Sequence, residues 1–519
     1  MRIESRSFPW WVVLGGLVLA LGYLPILAAP FDFIDDGNLV YPAPPGTTLA
    51  GHVGRWWDRV VANVEHLGPF RPAVWAHWEL AANTLGGDPL AWRAARLGWC
   101  ALAAMLLLWL MRELKLHPVA ALVAGAAAMW NPYRNEIWTS LTLAEGVAMP
   151  YALVALVAAR KAGRSRRVWA WDAAAVFGLL IALGCKNTFA ALVPAMLALR
   201  LWPDGATLRD GLRRNGLAAA AYLLPLAVPA AHFVYFKLNW HAGQYETPGP
   251  TLAQAWRMAS WLKGAAGLDF LGAGVGLVLL ALWCARGRSS PSSPPVATGG
   301  LGGQHRAALL CGALLLVAGF VVYLPVPIAA ARYTMPAVWG FDVLLGLLLT
   351  ALVAVPATLP RRVAWAGVGL GVAALLVANV GRQEKVAARS RMLWAALHHV
   401  EATAPPGARI AWVGGDAGDG ALGTEEGIHF AWHLLHRGRG DVRIGLFDEQ
   451  GHPIERVELP PLDREPTYRI VGHAADESGA WGPRRTFAAS YRLGRKRFAC
   501  RLDARHERQA GGYAMTADP

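Results

Sequence analysis

The chain has 519 residues, 55% of them hydrophobic and only 16% charged. Soluble domains carry about 25% charged residues, so the composition excludes a wholly water-soluble body and points to a polytopic membrane protein. The formal net charge of +14 does not indicate nucleic acid, because the basic residues fall in short clusters between apolar runs.

The N-terminus reads Met1-Arg-Ile-Glu-Ser-Arg6 and leads into an apolar run from Trp10 to Ala29. Such a run is long enough to cross about 30 Å of hydrocarbon. A signal peptide has a similar start but a shorter apolar core, and Pro30 directly after Ala28-Ala29 disfavours cleavage, so a retained first span is expected. Further apolar runs cover 94–111, 116–130, 137–159, 168–184, 187–201, 216–236, 268–284, 307–324, 333–355 and 363–380. A bilayer offers the backbone no hydrogen-bond partners, so these runs are expected as helices, about eleven spans in all.

Basic clusters at Arg2/Arg6, Arg112/Lys115, Arg160–Arg167, Arg200–Arg214, Arg286/Arg288/Arg306 and Arg361/Arg362 fall in alternate connections. The bias of lysine and arginine toward the cytoplasm then puts the N-terminus inside and the C-terminal tail outside. The compact loops fit a bacterial inner membrane. The first external loop, 30–93, is rich in aromatics, and its stretch Leu49–His66 can form an amphipathic helix on the membrane surface. A second external loop at 237–267 carries Trp240, His241, Tyr245, Trp256 and Trp261. Residues 285–306, with Arg288-Ser-Ser-Pro-Ser-Ser-Pro-Pro, read as a cytoplasmic linker.

Beyond residue 381 the hydropathy falls and charge rises. Arg409–Val413 and Val442–Phe447 read as strands, Glu425–His436 as a helix, and 467–472 and 486–503 as hairpins. The expected architecture is an all-α polytopic membrane domain over 1–380, followed by a small extracytoplasmic α/β domain over 381–519. In that tail, Gly418-Asp-Gly-Ala-Leu-Gly423 has the spacing of a dinucleotide loop but reads better as a turn. His429, His433 and His436 share a helical face, with no further metal ligand in view. The five cysteines show no paired spacing.

Candidate chemistry begins with the adjacent acids Asp35 and Asp36, in Phe31-Asp-Phe-Ile-Asp-Asp-Gly-Asn38. Apolar neighbours can desolvate a carboxylate and raise its pKa toward that of a useful base. An acidic pair at the start of the first external loop resembles the C-fold (GT-C) glycosyltransferases, which take sugar from a polyprenyl phosphate. Protein O-mannosyltransferases and TMTC-type proteins belong to that class. Gly68-Pro-Phe-Arg-Pro72 is similar to the family's Tyr-Arg-Pro segment, and Asn131-Pro-Tyr-Arg-Asn-Glu136 to its His-Pro-x-x-x-Glu segment. Cys185-Lys-Asn-Thr-Phe-Ala-Ala-Leu-Val-Pro194 resembles its Ser-Lys-Glu segment, and Arg332-Tyr-Thr-Met-Pro336 its late Arg-Tyr-x-x-Pro. The likeness runs over roughly 10–355. It departs at Asn187, where the TMTC pattern has glutamate, at Ala144, where those proteins tend to have arginine, and in the lack of tetratricopeptide repeats.

The resemblance implies transfer of one sugar, with inversion, from a polyprenyl-phosphate donor to an external glycan, lipid or protein. It implies Asp35 or Asp36 as base, Asp36 preferred, with Glu136 orienting the acceptor or seconding the base. Arg332, Tyr333, Lys186 and Arg71 are then expected on the donor phosphate, in a pocket where the acid pair meets Arg332. The class tolerates a divalent metal, and nothing in the sequence demands a metal or other cofactor. Glu145 and Asp342, inside or beside expected spans, are functional candidates with no assigned role. A transporter or lipid flippase would also explain spans and intramembrane charge, but internal repeats and broken helices, its usual signs, are not evident in the sequence. A non-catalytic relative that anchors a partner-binding tail is the third reading.

Overall fold

A computed structural model describes the chain outside residues 1–8, 35, 37–38, 40–42, 45, 68–69, 166, 203–207, 240–250, 288–304, 325–330, 414–423, 448–451, 456–458, 460–467, 476–485, 494–495 and 505–519. The candidate dinucleotide loop at 418–423 and most of the 285–306 linker therefore lie outside the described residues.

Helices dominate. In chain order they are α1 (Trp10–Leu21), α2 (Leu49–Leu67), α3 (Pro72–Leu85), α4 (Pro89–Glu113), α5 (Pro118–Met129), α6 (Glu136–Thr139), α7 (Ala144–Ala162) and α8 (Val168–Cys185). Then come α9 (Val193–Leu201), α10 (Leu208–Ala220), α11 (Ala227–Asn239), α12 (Leu252–Ala265), α13 (Leu268–Gly287), α14 (Arg306–Val321), α15 (Met335–Ala354), α16 (Leu359–Thr403) and α17 (Thr424–His436). Their outer faces expose Leu14, Val18, Phe177, Leu280, Val317 and Leu370, an apolar coat that water would not tolerate and lipid would.

The expected apolar runs form helices of unequal length. Among the described residues, α4, α8, α16 and the stretch Arg332–Ala354 are long and apolar enough to cross a membrane. The pair α12–α13, bent by 75°, makes a fifth if taken as one. The other apolar runs fold as shorter or interrupted helices, and proline stands at several of the interruptions. The first run stops at Leu21 and continues as a 3-10 turn, Leu24–Ala28, with Pro25 near its start. The 216–236 run divides around the 3-10 turn Ala221–Leu226, which contains Pro225. The 137–159 run opens between α6 and α7, at Ser140–Leu143.

Exposed backbone in an apolar body needs partners. At the 75° bend they come from a buried staple. Asn131 donates through Nδ2 to the carbonyls of Gly264 and Ala265, at 3.1 and 2.8 Å, and Arg134 Nε donates to Ala265 as well. The same Arg134 grips Asp342 with two parallel bonds of 2.7 and 2.9 Å. Asp342 is thereby accounted for as a structural partner. Gly267 turns the chain with φ +73, a conformation that disfavours any side chain.

The hydropathy change at 380/381 does not mark a break in structure. It falls inside the 45-residue α16, whose first half is apolar and whose second half carries Arg382, Glu384, Lys385 and Arg389. Downstream lie β1 (Arg409–Val413), β2 (Arg443–Phe447), β3 (Tyr468–Ala475), β4 (Thr486–Leu493) and β5 (Lys496–Ala504). They form one sheet in the order β2-β1-β3-β5-β4, with β1 parallel to β2 and β3, and β5 antiparallel to β3 and β4. Parallel neighbours need a crossover, and α17 supplies it between β1 and β2. It packs Phe430 on Trp412 of the sheet at 5.3 Å between ring centres.

Candidate active site

The break between α6 and α7 organises one half of the site. Asp36 is fully buried, and its carboxylate accepts from the backbone N–H of Leu141 at 2.8 Å and of Asp32 at 2.8 Å. Arg93, one turn into α4, donates to Asp36 at 3.2 Å, to the Pro30 carbonyl at 2.8 Å, and to the Thr139 carbonyl. One turn further on, Arg96 donates to the Ser140 carbonyl at 2.7 Å and that of Leu143 at 3.2 Å. Three charged side chains thus take up the polar groups freed where the helix opens. Burial pushes the Asp36 carboxyl up to about 6, against the pull of Arg93, and the nearby charge of Asp32 adds to the rise. Asp35 lies outside the described residues.

The other half forms where the C-terminal end of α8, the short α6, the start of α7 and the 3-10 turn Ala331–Thr334 converge. Lys186 follows α8 directly and pairs with Glu145 of α7, both largely buried. Arg332 pairs with Glu136, the first residue of α6, and both side chains remain more than a quarter exposed, at 27% and 29%. The Tyr333 ring stands between the two cations, 4.3 Å from Lys186 Nζ and 5.3 Å from the Arg332 guanidinium carbon. Tyr323 closes the back, its ring 5.4 Å from that of Tyr333 and its hydroxyl bonded to Thr188 at 2.6 Å. Arg71 acts electrostatically on Lys186, as does Arg332.

An apolar groove of about 510 Å³ lies between α2 and α11. Trp57, Val60 and Val64 of α2 form one wall, and Val228 and His232 of α11 another, with Phe70 between them. Two of its lining residues lead toward the residues that neighbour Arg71 and Lys186 in the chain. Phe70, adjacent to Arg71, stacks on His232 at 6.1 Å, and His232 lies 3.3 Å from the side chain of Asn187, adjacent to Lys186. Helix α2 is the amphipathic helix expected in the first loop. Its cationic face is seated on Glu79 of α3 through His52 (2.7 Å), Arg55 (3.3 Å) and Arg59 (3.4 Å). Leu49, Val53 and Trp57 stay exposed on another face.

Glu136, Lys186, Arg332 and Tyr333, called from four separated motifs with Arg71, are therefore gathered at one place, with Arg71 in electrostatic reach. Asp36 is not in contact with Arg332. It is bonded to Arg93, and Arg96 beside it feels the charges of both Asp36 and Glu145; the other member of the acid pair, Asp35, lies outside the described residues. Asn187, where the family pattern has an acid, faces His232; the acid facing Lys186 comes instead from Glu145. Arg93 and Arg96 were missed in the sequence. Two arginines a turn apart, at the end of an apolar run expected to face outward, run against the expected charge bias, and that was the available signal. Of the three tail histidines, His433 has a backbone partner. His433 donates through its ring to the Phe33 carbonyl at 3.0 Å, and no cluster of three metal-ligating side chains occurs among the described residues.

No family model matches the chain, and no curated protein sequence matches it. Among solved structures the chain is similar to the crystal structure of ArnT from Cupriavidus metallidurans bound to undecaprenyl phosphate. The match covers 95% of this chain and 98% of that one, at 12% identity and a TM-score of 0.48, too distant a likeness to carry a role from one chain to the other.

Proposed function

We propose that the protein is a membrane glycosyltransferase that takes a sugar from a polyprenyl phosphate and gives it to an acceptor hydroxyl outside the cytoplasm. The observation that carries this reading is the gathering of Lys186, Arg332 and Tyr333, with an apolar groove nearby whose lining includes Phe70, next to Arg71 in the chain, and His232, bonded to Asn187 next to Lys186. A long hydrocarbon tail fits such a groove, and a phosphate head fits the gathered cations.

In this reading the lipid phosphate lies against Lys186, Arg332 and Tyr333, with Arg71 adding to the field. Glu145 and Glu136 hold the two cations in place and keep the empty site from accumulating unbalanced charge. The acceptor oxygen attacks the anomeric carbon as the bond from that carbon to the phosphate oxygen breaks. The bonding pair leaves with the phosphate, whose growing charge the fixed cations stabilise. The hydroxyl proton passes to a carboxylate of the Asp35/Asp36 pair. Asp36 in the described arrangement already serves three donors and has no exposed surface, which makes it the positioning member and leaves Asp35 as the better base. One concerted displacement inverts the sugar and needs no covalent sugar–enzyme intermediate.

The test is sugar transfer in membranes by Asp35→Asn and Asp36→Asn separately, alongside mass spectrometry of lipids that co-purify. A lipid-linked sugar in the purified protein and loss of transfer in Asp35→Asn support the proposal. Wild-type transfer in both variants removes the acid pair from the chemistry. A co-purifying polyprenyl phosphate with no transfer in the wild type favours a lipid carrier or flippase.

A further inference from the structure

The segment from Gly22 to Phe33 joins α1 to the acid pair with only one irregular turn of its own. Its carbonyls need donors, and one face of α16 provides them in register. Asn379 and Gln383 donate to the Gly22 carbonyl, at 3.3 and 2.7 Å. One turn on, Ala387 packs with Ile26 and Ala29. Arg391 reaches the Ala28 carbonyl at 3.5 Å, and Trp394 Nε1 donates to that of Phe31 at 2.9 Å. Positions 379, 383, 387, 391 and 394 are spaced by four, four, four and three residues, so they line one side of a helix. The row passes from the apolar half of α16 into its polar half.

The last link comes from the tail. His433 of α17 bonds the Phe33 carbonyl, and the Phe33 ring is held among Trp394 (5.4 Å), Phe430 (6.0 Å) and His433 (4.7 Å). Three residues later the chain reaches Asp36. A carbonyl accepts only a donor, so the imidazole carries its proton on Nε2 when neutral. Burial pushes the His433 pKa down to about 4, in keeping with the neutral ring.

We infer that the C-terminal domain is a working part of the site: α16 and His433 form a clamp that fixes the backbone of residues 22–33 and so sets the position of the acid pair. Its consequence for catalysis rests on the reading of that pair given above, while its consequence for the loop does not. His433 and Trp394 are positioning residues. They touch no substrate in this reading and act through Phe31 and Phe33.

The experiment uses the full chain in lipid nanodiscs, with His433→Leu, His433→Gln and Trp394→Phe. Gln keeps a donor at reach and Leu removes it; Phe keeps the Trp394 ring stacking without its N–H. Hydrogen exchange of the peptide covering residues 31–39 should rise about tenfold in His433→Leu and several-fold in Trp394→Phe, with His433→Gln close to wild type. With an undecaprenyl-phosphate hexose as probe donor, His433→Leu should lower turnover by about tenfold and leave KM for the lipid unchanged. Unaltered exchange in both His433→Leu and Trp394→Phe overturns the clamp. If exchange rises as expected while Asp35→Asn and Asp36→Asn transfer sugar normally, the clamp stands and the enzymatic reading falls. Where His433→Leu fails to fold, Trp394→Phe decides between the same two outcomes.

Discussion

The two charged clusters on either side of the Ser140–Leu143 break have similar ingredients and opposite designs. Around Asp36, charge is sealed: Asp36 and Arg93 are fully buried, and each is occupied by backbone groups of the opened helix. Around Lys186 and Arg332, charge is held in side-chain pairs near an apolar groove, and the Arg332–Glu136 pair is partly open. A buried ion that bonds backbone is committed to the fold. A cation held by a single carboxylate can exchange or share that partner with an incoming anion. Intramembrane charge by itself does not mark function; what the charge is bonded to decides.

Breaking the sealed side should have the largest effect on stability. Arg93→Ala leaves the buried Asp36 without its counter-charge and the Thr139 carbonyl without the guanidinium donor, and should cost about 3–5 kcal/mol. Thermal unfolding in detergent checks it. If Arg93→Ala melts as wild type, the Asp36 cluster is not structural and the contrast drawn here is lost. Lys186→Ala should also destabilise, because Glu145 is left buried and unpaired, but Lys186→Ala with Glu145→Ala should recover most of the loss.

The open side should show the reverse pattern. Arg332→Ala should leave the melting temperature within a few degrees of wild type, since an exposed pair contributes about 0–1 kcal/mol. Binding of undecaprenyl phosphate should weaken by roughly ten- to a hundredfold, in line with the loss of a charge-assisted contact worth about 1.5–3 kcal/mol. Native mass spectrometry or tryptophan fluorescence on lipid titration reads this directly. A large stability loss without a binding change would place Arg332 with the sealed cluster.

How much of this was legible in the sequence follows the same division. The motifs containing Arg71, Glu136, Lys186 and Arg332 stand at the ends of apolar runs, where side-chain chemistry is conspicuous, and the structure gathers them. The strand Arg409–Val413 and the amphipathic helix α2 were readable because periodicity is local. Arg93 and Arg96 were not, because their partners are carbonyls exposed by a break near residue 140, and hydropathy averages across such a break. The 75° bend at Gly267 and the continuity of α16 through residue 381 escaped for a related reason: a window of composition reports the medium around a helix, not whether its backbone continues. The row 379, 383, 387, 391, 394 has regular spacing but faces backbone, which leaves no complementary pattern in the partner segment.

The pH dependence gives a smaller effect that tests the sealed side without disrupting it. The folded Asp36 carboxyl sits at about 6, above its ordinary 3.8. A raised carboxyl favours the protonated fold, so its contribution to stability is fully present below pH 3.8 and is lost as pH rises through 6. Between pH 4 and 6.5 the wild-type melting temperature should therefore carry a downward component with rising pH that Asp36→Asn lacks, even though Asn is less stable overall for turning an amide donor toward Arg93 or a backbone N–H.

The smallest expected change concerns the groove. Ala231→Trp places an indole where a lipid tail is proposed to lie, on a wall formed by α11. Affinity for undecaprenyl phosphate should fall several-fold, while a short water-soluble prenyl phosphate, which needs only the cations, should bind as before. Equal loss for both lipids would mean that the bulk has displaced His232 and, through Asn187, the head-group site. Equal binding for both would mean that the tail takes another route, and the open cluster would then have to be fed from the bilayer along a different face.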